Sequence, residues 1–287
     1  MKKQLLLGLV LEGSSTRSAV LRLPKLSHEL GPVKSSSVRV ARRFSNLVQG
    51  GYAVEDYQEL EGARLILMHL PDGAVRRVVD EICASDLLVK RLCFVLCETW
   101  LSSDVLAPLQ DRGASVATMV QAPGTQRNWF VVEGHLTASR LARRLIERLD
   151  GRAFEIKAGS KHLLFAAELL TAILPVPLLA SAQQSLRAAG MSGNQLSELT
   201  GHMAQRLLRD VTKGVRLPLP TCPPDCSIES YKRLMTELEQ RQPRLASLLQ
   251  DGLAQASAYR PLVKKEHSYR EEAFARTSTF NPMAEES

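Results

Sequence analysis

The sequence predicts an α/β protein: a doubly wound parallel sheet over residues 1–157, followed by an all-α domain. Three observations predict it. LLLGLVL, ARLILMHLP and RLCFVLCE are continuous apolar runs, the pattern of parallel strands buried on both faces. Segments with helical spacing separate them, so strand and helix alternate. After Lys157 the alternation stops and helical patterns continue alone.

The elements follow in order. MKKQLLLGLVL places two lysines before an apolar run, as a signal peptide does. Glu12 interrupts the run where a small-residue cleavage site should begin, so a first strand is expected. A helix follows with Ala19, Val20 and Leu23 on one side, limited by Pro24. Gly31-Pro32 reads as a turn. VRVARRFSNLV has helical spacing through Val40, Phe44 and Leu47. ARLILMHLP is a strand ended by Pro71, and Asp72 is placed to cap the helix GAVRRVVDEICAS. RLCFVLCE, ASVATMV, WFVVEG and RAFEIK are further strands. SSDVLAPLQDRG and TASRLARRLIERLDG are helices that stop at Gly113 and Gly151.

Residues 158–262 form the predicted all-α domain, and the polar, charged residues 263–287 a mobile tail. One apolar helix signal covers residues 160–190 and closes at Gly190. Within it, LLFAAELLTAILPVPLLASA is long enough to span a bilayer. Glu168 lies inside it and Pro175 and Pro177 interrupt it, so a buried helix is expected and not a membrane span. A helix with so little polar face must be covered nearly all round. A small domain hardly does this alone, which predicts a homodimer. The proline-rich linker PLPTCPPDC separates NQLSELTGHMAQRLLRDVTKGV from the last helical stretch, IESYKRLMTELEQRQPRLASLLQDGLAQAS.

Composition narrows the function. The 287 residues carry a net charge of +7, which favours anionic partners. The basic residues are scattered. Arg39, Arg42 and Arg43, and Arg140, Arg143, Arg144 and Arg148, read as solvated helix faces. With 5% aromatics and no recognition motif, nucleic acid is not expected as a partner. Five cysteines without dense spacing argue against a disulfide framework and for a reducing, cytoplasmic setting. Cys93 and Cys97, like Cys222 and Cys226, are not CxxC pairs, and no histidine cluster flanks them, so no metal site is expected.

LILMHLPDGAVRRVVDEI, LSSDVLAPLQDRGASVATM, FVVEG, LDGRAFEIKAGSKHLLFAAELL and LLASAQQSLRAAGM occur in that order. They resemble a family of Rossmann-like oxidoreductases with an N-terminal dinucleotide-binding domain and a C-terminal domain of unknown function, number 2520. That family is similar to 6-phosphogluconate dehydrogenase, 3-hydroxyacid dehydrogenases and pyrroline-5-carboxylate reductase. The resemblance covers residues 4–260.

It implies a phosphate loop after the first strand. A pyrophosphate needs glycines for close backbone approach and free N–H groups at a helix start. Leu11-Glu12-Gly13-Ser14-Ser15-Thr16 takes the place of GxGxxG, with Gly13 as the retained middle glycine. A second register uses Gly8 and Gly13 as the outer glycines. Glu12 puts a carboxylate near the phosphate position, where it repels an anion. Ser14, Ser15 and Thr16 either cap the helix alone or also donate to a phosphate. An acid after the second strand would select NAD, whereas this region reads Lys34-Ser35-Ser36-Ser37-Val38-Arg39. Ser35 and Arg39, with Lys34, favour NADP. His69, Leu70 and Pro71 end a central strand and either face the crevice or form only a helix-starting turn.

The same resemblance implies a lysine early on the first helix of the second domain, and Lys161 matches it. Phe165 stands at the partner position, where relatives carry a histidine or asparagine, and the histidine–proline pair after the strand ASVATM is missing. The family's Thr-Gly-Pro segment is Thr221-Cys222-Pro223. Lys161 is then the general acid or base, although a lone lysine at a helix start is ordinarily a solvated or interface residue. Two functions remain open. One is an NAD(P)-dependent dehydrogenase or reductase of an unknown small molecule, using the interdomain cleft. The other is a catalytically silent dimeric relative acting as scaffold or ligand sensor.

Overall fold

The computed structural model describes residues 7–12, 20–23, 25–122, 128–212 and 228–258. The predicted glycine-loop residues Gly13, Ser14, Ser15 and Thr16 lie outside this set. So do the linker with Thr221-Cys222-Pro223 and the predicted tail.

The described chain falls into two compact units that divide between Pro175 and Val176. The first is built on an eight-stranded sheet of order β3-β2-β1-β4-β5-β6-β7-β8. Its strands are β1 (Leu7–Leu11), β2 (Leu30–Ser35), β3 (Tyr52–Val54), β4 (Leu65–His69), β5 (Cys93–Cys97), β6 (Ser115–Gln121), β7 (Trp129–Gly134) and β8 (Arg152–Ile156). The helices are α1 (Leu26–Glu29), α2 (Val38–Val48), α3 (Asp72–Ala84), α4 (Ala107–Asp111), α5 (Leu136–Arg148) and α6 (Lys161–Glu168).

Continuous apolar strands follow from helices on both faces. In β4, Leu65 and Leu67 pack with Ala41 and Phe44 of α2 and Leu141 and Leu145 of α5. The alternate residues Ile66 and Met68 pack with Val75, Val78 and Ile82 of α3. Because successive side chains point to opposite faces, each residue of such a strand meets a helix. The same pleat buries every residue of β1 and β5.

The fold matches the predicted class with one refinement: β7 runs antiparallel to β6, and β8 runs parallel to β7. Gly134 makes the exit from β7 feasible. Its φ is +138°, and a Cβ there would lie 2.5 Å from the Val116 carbonyl oxygen.

Several local expectations change. Gly31-Pro32 is not a turn but lies inside β2, where the register against β1 slips between Leu7 and Leu9. The bulge lets a residue without an N–H sit in an interior strand. In α2 the buried side is Ala41, Phe44 and Ser45, while Val40 and Leu47 face solvent. Asp72 does not cap α3; Pro71 holds that position and Asp72 is the first helical residue. After the predicted loop, the described chain forms only a 3₁₀ turn at Val20–Arg22 before α1.

Residues 160–190 are helical as predicted, in three pieces: α6, a π turn at Leu169–Ile173, and α7 (Pro175–Ala188). The Leu174 N–H donates to the Leu169 carbonyl at 2.8 Å, a wide turn that accommodates the following proline. The expectation of a buried helix fails within this chain. Lys161–Ala188 is long and apolar enough to cross a membrane by length and composition, and the apolar window is not buried. Phe165, Leu170, Ile173 and Leu174 in the first unit, and Val176, Leu178 and Leu179 in the second, are all exposed. The second unit also contains α8 (Asn194–Thr212), α9 (Ile228–Arg241) and α10 (Pro243–Ala258).

Gly134→Ala is expected to cost roughly 2–4 kcal/mol, since it combines a positive φ with a backbone collision. A urea denaturation midpoint equal to that of the wild type would refute it.

Candidate active site

The strand order reverses at β1, whose neighbours are β2 and β4. In an open α/β sheet the crevice beyond the carboxyl ends of the strands at such a point is where ligands bind. Gly8 is three residues back from this edge, and a Cβ on it would lie 3.0 Å from the Ala63 Cβ. It serves strand packing, which removes the second loop register. The chain leaves β1 at Glu12, whose N–H donates to the His69 carbonyl at 3.0 Å.

The predicted residues around this edge have distinct surroundings. Ser35 ends β2 and is buried; His69 ends β4 and is half-buried. Among the described residues, the buried Ser35 Oγ and His69 Nδ1 have no hydrogen-bond partner. Burial holds the His69 imidazole below its ordinary pKa, although Glu98 pulls the other way. Leu70 and Ser35 line a cavity of ≈ 140 Å³ together with Val10, Leu11, Glu12, Lys34, Ser36, Tyr57, Arg77, Val78 and Glu81. Pro71 is exposed at the start of α3. Arg39 is exposed on the first turn of α2, just after Ser37, whose Oγ accepts from the Val40 N–H and caps that helix. Of the predicted cofactor residues that are described, Ser35 and Leu70 share the cavity.

A charge network that the sequence reading missed crosses this cavity. The Arg77 guanidinium donates to both oxygens of Glu12 at 2.5 Å and to Glu81 at 2.5 Å. The Tyr57 hydroxyl donates to Glu81 at 2.9 Å. Burial, then Glu81, raises the phenol above its usual range. Lys34 Nζ sits 4.9 Å from the centre of the Tyr57 ring and donates to the Ser35 carbonyl. The predicted repulsion by Glu12 is therefore answered by Arg77 from α3. No motif signals this partner, because 65 residues separate the two.

Lys161 departs from the solvated lysine expected at a helix start: it is 3% exposed. Its Nζ donates to the Thr99 carbonyl at 2.6 Å, just beyond the end of β5. The Thr99 hydroxyl donates to Asp72 at 2.9 Å and accepts from the Leu101 N–H. Desolvation lowers the Lys161 pKa to about 8, opposed by Glu133, Cys97, Asp72 and Glu98. Burial raises the Cys97 thiol well above its normal value, so it is no thiolate nucleophile. Glu98 has φ +56°, a left-handed conformation for a residue with a side chain, and its carboxylate accepts from the Val20 N–H. Phe165, at the position where a polar partner was sought, packs edge-on against Trp100 at 5.7 Å.

The comparisons bear on this geometry. Residues 128–215 match the family described as Domain of unknown function (DUF2520). The matched stretch includes β7, α5, β8 and Lys161. No curated protein matches the chain. Among solved structures, protein TM1727 from Thermotoga maritima is 18% identical with a TM-score of 0.55, covering 88% of this chain and 99% of its own. A candidate NADP oxidoreductase, BF3122 from Bacteroides fragilis, is 14% identical with a TM-score of 0.64, covering 87% and 96%. An imine reductase from Myxococcus stipitatus in complex with NADP+ is 14% identical with a TM-score of 0.56, covering 88% and 94%. At these identities the likeness establishes the fold alone: a Rossmann-like α/β unit followed by helices.

Lys161 has a measurable signature. Its folded pKa of about 8 lies below the ordinary 10.5. Between these values the unfolded chain binds more protons, so this group makes stability rise with pH across that window. Wild-type stability is expected to rise relative to Lys161→Met from pH 8 to pH 10.5. Parallel stability curves for the two proteins would contradict the burial.

Proposed function

We propose that this chain is an NAD(P)-dependent oxidoreductase of a small molecule, with NADP the favoured cofactor and Lys161 the proton-handling group. The observation that carries the reading is that two of the four unpartnered buried side-chain atoms among the described residues, Ser35 Oγ and His69 Nδ1, stand at the ends of the strands flanking β1. Buried polar atoms without partners cost stability, and their position is where a dinucleotide lies in this fold. The residues present fit that group. Ser35 offers a hydroxyl at the ribose end. Lys34, Ser36 and Arg39 offer positive charge and donors where an NAD-selecting acid would stand. Arg77 neutralises Glu12 beside the phosphate position.

A nicotinamide dinucleotide supplies a hydride when bound. The chain's part is then to hold the substrate and manage one proton. Lys161 suits that part: with a pKa of about 8, both protonation states are populated near neutrality. Its ammonium gives a proton to an oxygen or nitrogen that gains negative charge, or its amine takes one in the reverse direction. Cytoplasmic residence accords with three free thiols among the described residues.

The exposed apolar run from Phe165 to Leu179 supports a homodimer that covers it. Size-exclusion chromatography with light scattering is expected to give twice 31.7 kDa; a clean monomer removes this part of the proposal.

The second reading, a silent scaffold or sensor, is favoured by the small cavity and by the bond that commits Lys161 Nζ to Thr99. Fluorescence titration separates the two, since Trp100 directly follows Thr99, whose carbonyl accepts from Lys161. NADPH is expected to bind more tightly than NADH, and Arg39→Ala to remove that preference. Binding of neither at millimolar concentration would leave the silent reading. Arg77→Ala is expected to weaken NADPH about tenfold or more by baring Glu12, and Glu12→Gln/Arg77→Ala to restore most of it. Equal affinities in all three proteins would discard the neutralising role of Arg77.

A further inference from the structure

Two charged side chains are buried among the described residues: Glu133, with no exposure, and Lys161. An ionised group so placed needs both hydrogen bonds and an opposite charge. Glu133 has the first in full. One oxygen accepts from the Ser103 hydroxyl at 2.9 Å and from the Gly159 N–H at 2.5 Å. The other accepts from the Ser103 N–H and the Thr118 hydroxyl, each at 2.9 Å. Four neutral donors fill the four acceptor positions of a carboxylate. Burial works to raise this carboxyl, and the bonds from Gly159, Ser103 and Thr118 overcome it and hold it below the ordinary value. It is therefore ionised at neutral pH and favours the protonated form of Lys161 through space, without an ion pair between the two side chains.

The four donors lie on three segments. Thr118 is on β6. Ser103 belongs to the loop after β5 that also presents the Thr99 carbonyl to Lys161. Gly159, at φ +75°, is in the turn from which α6 starts, two residues before Lys161. One carboxylate thus ties down both the backbone that carries the lysine and the loop that receives its ammonium.

We propose that Glu133 is the positioning residue of Lys161, fixing the turn before α6 and the Thr99 loop together, so that Nζ is held against the Thr99 carbonyl with a carboxylate nearby. The other charged or titratable groups facing Nζ are Cys97, Asp72 and Glu98. The proposal rests on the proton-handling role given to Lys161 above, but its test requires no dinucleotide.

The test is nuclear magnetic resonance titration of the full chain with isotope-labelled lysine and glycine, using Lys161→Arg to assign the Nζ signal. In the wild type, the Gly159 amide is expected to move with the Lys161 midpoint, near pH 8, because the carboxylate joins them. A Gly159 resonance that stays flat through that midpoint overturns the proposal, and this measurement leaves the Glu133 site unaltered. Glu133→Gln keeps the shape and removes the charge. It is expected to lower the Lys161 midpoint by about one unit or more. Thr118→Val, which takes one donor from the same carboxylate and keeps its charge, is expected to leave that midpoint in place. A purely structural role predicts lost stability in both variants and an unmoved Lys161 midpoint in both, and that result also overturns the proposal. If the wild type binds neither NADPH nor NADH but Lys161 and Gly159 titrate together, the redox reading falls and the positioning role stands.

Discussion

Burial of the sheet on both faces is the constraint from which the rest follows. β1, β4 and β5 have helices above and below, so no side chain along them can carry a polar group cheaply. Polar function is pushed to the strand ends. That is where Glu12, Ser35, His69, Glu98 and Thr99 stand. Chemistry collects at one edge because the interior has no place for it.

The reversal of β7 is what completes that edge. Thr118 of β6 pairs with Leu96 near the end of β5 and with Glu133 of β7. β8, parallel to β7, pairs Ile156 with Glu133. The chain therefore arrives at Gly159 and Lys161 level with the end of β5. A last pair of strands running with the others would end further out along the sheet direction. β7 and β8, parallel to each other and opposed to β6, form the mount for the lysine.

What the sequence disclosed depended on how local the cause was. LILMHL and CFVLC announce buried strands because their composition is set by the two helices that flank them. Gly31-Pro32 misleads because a turn dipeptide also suits a bulge, and the pairing that decides between them involves β1. Val40 and Leu47 looked like a core face, yet the smaller Ala41 and Ser45 face the sheet, which admits α2 closely. The place of Lys161 in the chain was legible; its burial was not, because Thr99 and Glu133 are far from it in sequence. The Glu133 signal was present in WFVVEG, a lone carboxylate on a buried strand. Its four donors could not be read there, since they come from three other segments. The Arg77 partner of Glu12 was hidden in the same way.

The hydrogen bond from Gly159 to Glu133 also bears on modularity. A cut in the chain just after Ile156 would look harmless from the alternation of strands and helices alone. It would leave the sheet intact while removing one of the four donors from a carboxylate with no access to water. The sheet does not end, energetically, where its last strand ends. The first turn of α6 belongs to it, so any grafting, swapping or trimming of the helical part has to begin beyond Lys161.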